Sequence, residues 1–262
     1  MSGEFAGKVV VIGGGSRGIG KGVAAAFARE GAQTVLAAKS QQNLDATAEA
    51  IARTNALRPE TVAGDLGTLQ ACEAVHARVK EKFGRCDVLI NSAGATKAGA
   101  FLDQPDADWE DGFGLKVFGA IRLCRLFWPM LKETEGHVIN IAGGAGRTPD
   151  PNFLVGGAAN AAMMNFTKGL SGLGKRDGVN VNCILPGMTE TDRVMDLIEQ
   201  RAKATGTSVD EARKSMTEKS GTRRIGKPED IAELALFLCS ERARHIQGTN
   251  IAVDGGATTG LY

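Results

Sequence analysis

Seven short runs of apolar, mostly β-branched residues recur along the chain: "KVVVIG", "TVLAA", "ETVAG", "DVLIN", "HVINIA", "VNVNCIL" and "NIAVDG". Each is too short for a stable helix, and most lack the polar alternation of a half-exposed strand, so they read as strands covered on both faces. Between them, residues 18–30, 41–54, 68–83, 106–132 and 156–174 fit crossover helices. This alternation predicts the α/β class: a doubly wound parallel sheet of about seven strands with helices on both sides. No linker, repeat or low-complexity tract interrupts the series, so a single domain over residues 1–262 is expected.

One stretch departs from the rhythm. Residues 189–220, "TETDRVMDLIEQRAKATGTSVDEARKSMTEKS", are charged and long for a connection. They follow the carboxyl end of a strand, where open α/β sheets bind their ligands. A lid over a substrate and a solvated helical insertion are both consistent with the pattern.

Composition narrows the function classes. A chain of 262 residues with 43% hydrophobic content can bury a full core. Thirty-one basic residues against thirty acidic ones leave a net charge of +1, and no basic run is interleaved with aromatics, so nucleic acid is not an expected partner. The longest apolar runs fall far short of the roughly 20 residues that cross a bilayer, so no membrane partner is expected. The start, "MSGEFAGKVVVIGGG", lacks the marks of a signal peptide and points to the cytoplasm. Five scattered cysteines, Cys72, Cys86, Cys124, Cys183 and Cys239, read as free core thiols, and no metal site is expected.

The chemistry begins after the first strand. "VVVIGGGSRGIGKGVAAAFAREGA" is a strand, a glycine-rich turn and a helix opening near Gly18. Glycines permit positive φ and let a pyrophosphate approach the N–H groups at the helix start, which makes this a Rossmann-type dinucleotide site. The second strand should end near Ala38, where an NAD site places a carboxylate on the ribose 2′-hydroxyl. No carboxylate stands there; Lys39 and the loop's Arg17 are cations suited to a 2′-phosphate. NADP(H) is therefore favoured over NAD(H).

At this point the chain resembles a short-chain dehydrogenase/reductase over nearly its whole length. Gly13-Gly14-Gly15-Ser16-Arg17-Gly18-Ile19-Gly20 is similar to that family's Thr-Gly-x-x-x-Gly-Ile-Gly turn, with Gly13 at the threonine position. "NSAG", Asn91 to Gly94 and including Ala93, resembles its Asn-Asn-Ala-Gly segment, and Asp65-Leu66 stands where the family holds the adenine. Pro186-Gly187-Met188-Thr189-Glu190-Thr191 resembles its Pro-Gly-x-x-x-Thr segment beside the nicotinamide. "RRIGKPEDIAELALFLCS" and "AVDGG" resemble its C-terminal signature. The resemblance implies that these residues line the cofactor. It also implies a homotetramer or homodimer through the helices at 106–132 and 156–174.

The same resemblance implies a departure. In the family a tyrosine passes the proton while hydride moves between nicotinamide and a carbonyl carbon; a lysine holds the ribose, a serine the substrate oxygen, and an asparagine a proton relay. Here Gly143 stands at the serine position, Gly156 at the tyrosine, Asn160 at the lysine and Lys116 at the asparagine. The chain's single tyrosine is its last residue, Tyr262. Lys116 is thus the candidate catalytic residue, either as a replacement for the ribose-holding lysine or as a proton donor or nucleophile, unless it is only a helix cation with a packed stem. Gly143, Gly144, Gly146, Gly156 and Gly157 suggest a wide pocket with free N–H groups or an abandoned site. Three functions remain open: an atypical NADP(H) oxidoreductase acting on a small carbonyl, alcohol or enoyl compound, a non-catalytic nucleotide sensor or partner subunit, and a lysine-assisted lyase or hydrolase.

Overall fold

A computed structural model of the chain describes residues 3–54, 57–94 and 96–259. The seven apolar runs form β1 (Val9–Gly13), β2 (Gln33–Ala38), β3 (Glu60–Ala63), β4 (Val88–Asn91), β5 (His137–Ile141), β6 (Asn180–Pro186) and β7 (Asn250–Val253). They pair, all parallel, in the order β3-β2-β1-β4-β5-β6-β7. The order reverses between β1 and β4, so a crevice opens beyond their carboxyl ends, the place where such sheets bind ligands.

The central strands show why the runs are unbroken. Val10 and Ile12 face a layer containing Phe27, Ile231 and Leu238, while Val9 and Val11 face one containing Leu123, Phe127 and Leu131. Side chains alternate across the sheet, yet both faces are covered, so every position is apolar. Each large side chain buried in this way contributes about 1.5–3 kcal/mol.

The crossover helices are α1 (Gly18–Arg29), α2 (Gln41–Ala52), α3 (Leu69–Phe83), α4 (Asp106–Phe113), α5 (Gly119–Glu133) and α6 (Leu154–Asp177). The helix expected over 106–132 is thereby divided: a π-helical turn, Gly114–Phe118, joins α4 to α5. The cause is local. Gly112, Gly114 and Gly119 weaken the regular helix, and a Cβ at Gly119 would lie 2.7 Å from the Leu66 carbonyl oxygen, so the chain crosses there in close contact.

The charged stretch 189–220 folds as a helical hairpin, α7 (Asp192–Thr205) and α8 (Val209–Lys219). It has a small core of its own, Ile198, Ala202, Ala212 and Met216 with Ile225, and α8 opens on a Ser208/Glu211 capping box. α9 (Pro228–Leu238) then returns the chain against α1. Among the described residues no helix is long and apolar enough to cross a membrane.

Candidate functional site

The glycine turn is held by contacts that exclude side chains. Gly14 has φ +84°, and a Cβ there would lie 2.6 Å from the Ala93 backbone nitrogen; a Cβ at Gly20 would lie 2.1 Å from the Gly14 carbonyl oxygen. Strand β4 thus exits directly against the turn. Arg17 precedes α1 in extended conformation and supplies no side-chain cap, so the first N–H groups of α1 remain available to a ligand. The Ser16 carbonyl accepts from the Thr47 hydroxyl at 2.8 Å, which ties the turn to α2. Ile19 packs partly buried against the core beside it.

At the end of β2, Lys39 is exposed and its Nζ lies 3.1 Å from Asp65 Oδ2. Asp65 Oδ1 accepts from the Gly67 N–H at 3.0 Å. That backbone bond, then the Lys39 bond, hold the Asp65 carboxyl below its ordinary pKa. Arg17 is exposed and, among the described residues, makes no side-chain hydrogen bond or ion pair. Lys39 and the Asp65 carboxylate therefore flank the space beyond Ala38. Leu66 is buried and packs under Gly13.

Asn91 closes β4, but its side chain turns into the interior. Its Nδ2 donates to Asn140 Oδ1 at 2.9 Å, and Asn140 Nδ2 donates to Thr167 Oγ1 at 2.9 Å. What Asn91 presents to the crevice is backbone. Ala93 and Gly94 follow it toward the glycine turn and Lys116. From the other side, Pro186 ends β6 and the Gly187 N–H donates to the Val253 carbonyl at 3.0 Å. The Met188 carbonyl accepts from the Gly226 N–H at 2.9 Å. Thr191 caps α7 through its hydroxyl, and its methyl would lie 3.0 Å from a Cβ at Gly18. The glycine turn and the Pro-Gly segment, far apart in sequence, meet there.

Lys116 sits on the π turn, half-buried, with its stem against Gly94: a Cβ on that glycine would lie 3.2 Å from Lys116 Cγ and Cδ. Among the described residues it has no hydrogen bond or ion pair. Burial first, with the Arg193 charge acting in the same direction, lowers its pKa from 10.5 to about 8. Near the opposite wall, burial raises the Cys183 thiol to about 11 and keeps it protonated.

The glycine-rich segment is not the wide pocket its sequence suggests. A Cβ at Gly156 would fall 2.1 Å from Phe153 Cζ, because the Phe153 ring folds back over the first turn of α6. A Cβ at Gly143 would lie 2.9 Å from Asn160 Nδ2, and one at Gly146 would lie 2.9 Å from the Ala161 nitrogen. Gly144 and Gly157 meet Thr258 and the Ala145 carbonyl at 3.4 and 3.3 Å. At Gly143 and Gly156 the released volume is occupied by neighbours, whereas Gly146 and Gly157 also border a cavity. Asn160 is buried and its Oδ1 has no partner; no hydrogen bond joins it to Lys116.

Two cavities remain beside this packing. One, of about 290 Å³, is lined by Trp109, Pro149, Phe153, Leu154 and neighbouring small residues. The other, of about 520 Å³, is lined by Thr96, Lys97, Asp108, Asp111, Gly112 and Arg193. Gly112 lies one helical turn before Lys116. The five cysteines are all free and buried, and among the described residues no cluster could hold a metal. His137 opens β5 at the end of the sheet remote from the crevice, and burial lowers its pKa to about 4. Tyr262 lies outside the described residues.

The residues that sequence reasoning missed are Thr47, Phe153 and Arg193. None belongs to a motif. Only Phe153, three positions before Gly156, carried a usable signal: residues three apart at a helix start are neighbours on one face.

Comparison with known proteins follows the same outline. Residues 14–258 match the family described as Enoyl-(Acyl carrier protein) reductase. Meso-2,3-butanediol dehydrogenase of Serratia marcescens is 33% identical over 255 residues, 97% of this chain and 96% of that protein. The structure of L-sorbose reductase from Gluconobacter frateurii, complexed with NADPH and L-sorbose, is similar with a TM-score of 0.95 at 32% identity, covering 100% of both chains. Actinorhodin polyketide ketoreductase with NADPH is similar with a TM-score of 0.91 at 25% identity, covering 99% of this chain and 100% of that one.

Proposed function

The chain belongs to the short-chain dehydrogenase/reductase family, and we propose that it is an NADP(H)-dependent oxidoreductase whose proton chemistry rests on Lys116 instead of a tyrosine. The observation that carries the cofactor choice is the pair of exposed cations, Arg17 and Lys39, beside a second strand that ends in Ala38 without a carboxylate. Relatives over the full chain length whose structures contain NADPH support it.

The residues present fit a dinucleotide. The tight turn that Gly14 and Gly20 permit and the uncapped start of α1 suit a pyrophosphate; Arg17 and Lys39 suit a 2′-phosphate; Ala93, Gly94 and the 186–191 segment enclose the end nearest Lys116. Bound there, the nicotinamide supplies hydride exchange with a carbon of a small carbonyl, alcohol or enoyl compound.

The chain's own residues supply the proton. With a pKa of about 8, the Lys116 ammonium is a stronger acid than an ordinary lysine, and general acids work best when their pKa lies near the operating pH. Lys116 Nζ donates to the substrate oxygen on reduction and is reprotonated from solvent. Asn160 Oδ1, buried without a donor, accepts from a hydroxyl of the bound ligands. The α7–α8 hairpin serves as a lid over the crevice, and the chain assembles as a homodimer or homotetramer through α4–α5 and α6.

The test is NADPH oxidation against a panel of ketones, 2-oxo acids, diketones and enoyl thioesters. We expect turnover with at least one class, a rate that falls as pH rises through about 8, and loss of that limb in Lys116→Ala. Absence of oxidation across the panel, or an unchanged pH profile in Lys116→Ala, overturns the reading.

A further inference from the structure

The cavity of about 520 Å³ opens between the loop after β4, the α4 helix and the first turn of α7, beside the π turn that carries Lys116. Its walls hold two acids and two cations, and the pairing among them is unequal. Lys97 Nζ lies 2.6 Å from Asp108 Oδ1, and the charge of Asp111 acts on the same lysine. Asp108 is thus committed to Lys97. Arg193, on the second residue of α7, donates a single bond, from Nη2 to the Thr96 carbonyl at 2.9 Å, and among the described residues it has no ion pair.

A guanidinium offers five donors in a planar fork, so most of the hydrogen-bonding capacity of Arg193 is unused by protein. Its charge also acts on Lys116, and among the described residues neither cation has an ion pair. A neutral substrate would leave this repulsion in place. An oxyanion between the two would remove it and fill the free fork in the bidentate geometry that carboxylates and phosphates share.

We propose that the substrate carries an anionic oxygen group, a carboxylate or a phosphate, held by the Arg193 guanidinium at the cavity beside Lys116. This rests on the reading of the crevice as the substrate site of an oxidoreductase, and it deepens that reading by naming the substrate's charge. Arg193 is then a specificity residue: it touches the substrate away from the reacting carbon. Because it sits on the α7–α8 hairpin and already ties that hairpin to Thr96, substrate charge and hairpin position are set by one side chain.

The experiment compares matched pairs by calorimetry on the protein saturated with NADP+: pyruvate against methyl pyruvate, and dihydroxyacetone phosphate against dihydroxyacetone. At least one anionic member is expected to bind ten-fold or more tightly than its neutral partner, and which pair responds separates carboxylate from phosphate. Arg193→Gln is expected to abolish the difference and Arg193→Lys to keep part of it, with NADP+ affinity within two-fold of the parent in both. Equal binding within both pairs overturns the proposal without any variant, and so does a preference that survives Arg193→Gln in a protein with the parent's melting temperature. The NADP+ titration that precedes these runs stands apart: if NADP+ does not bind, the functional reading fails, and the same pairs on the cofactor-free protein still decide the anion proposal.

Discussion

The two halves of the crevice are built on opposite principles. At the ends of β1, β2 and β4 the site is defined by side chains that are absent: Gly14 and Gly20 bring backbone against backbone at separations that no Cβ could occupy. At the ends of β5 and β6 there are as many glycines, but Gly143 and Gly156 lie under Asn160 and Phe153, which fill the space they release. A glycine that lets backbone approach backbone and a glycine that admits a neighbouring side chain are identical in sequence. They differ only in what stands opposite, and that comes from elsewhere in the chain.

The strongest test of this contrast is the catalytic half. Turnover on ordinary ketones should lie about a hundred- to ten-thousand-fold below that of a relative with a phenol acid, the usual worth of a general acid. Gly156→Tyr should not recover it, because the new ring would collide with Phe153; Gly156→Tyr with Phe153→Ala and Asn160→Lys should recover more than any single change. Steady-state rates on a ketone panel decide, and full recovery by Gly156→Tyr alone would show that the Phe153 ring is freely displaced.

The glycines of the cofactor half should be less forgiving in stability than in rate. Gly14→Val combines strain at φ +84° with a 2.6 Å approach to Ala93, and should cost about 3–5 kcal/mol from strain and overpacking together. Thermal melting measures this; a variant as stable as the parent would contradict the close-approach account. Gly169→Ala, on an open surface of α6 with nothing within 4 Å of the new Cβ, should be neutral or stabilising.

A smaller effect is expected at the exposed end of the cofactor site. Lys39→Asp should weaken NADPH by about 1.5 kcal/mol, the low end for a bond to a charged group because the side chain is exposed, while improving NADH. Fluorescence titration of both cofactors reads this, and an unchanged preference would remove Lys39 from the phosphate site.

The last effect is electrostatic. Because the Lys116 pKa is lowered from 10.5 to about 8, the folded protein releases that proton before the unfolded chain does. The group therefore adds stability as pH rises from about 8 to about 10, and adds none of this pH dependence below that window. The difference in stability between the parent and Lys116→Met should follow that window in denaturant titrations; a difference independent of pH would place Lys116 in water.

What could be read in advance follows from the range of the forces involved. The strands were legible because burial on both faces leaves an unbroken apolar run, and the glycine turn because its demands are met by adjacent residues. The 189–220 stretch left a lid and a solvated insertion equally open because its small core, Ile198 and Ala202 against Ala212 and Met216, is thinly spread among charges. Phe153 over Gly156 was hidden because a missing side chain resembles a vacancy, and Arg193 because a lone cation among the acids of "TETDRVMD" reads as a solvated helix start. Its lack of an ion pair goes with Asp108 being taken by Lys97, a pairing across the loop and α4 that no local pattern shows.

The π turn at Gly114–Phe118 has a consequence for how the crevice can vary. A regular helix advances about 100° per residue, and one wider turn offsets the angular phase of everything beyond it by about that amount. Upstream of the turn, α4 faces the cavity; downstream, α5 places Leu123 and Phe127 in the core. The turn decouples these two headings. A substitution that relaxed it to regular helix would keep both segments helical and leave circular dichroism unchanged, yet swing Lys116 away from Gly94. The protein can thus be re-aimed without being unfolded, and a loss of activity in this segment need leave no trace in its stability.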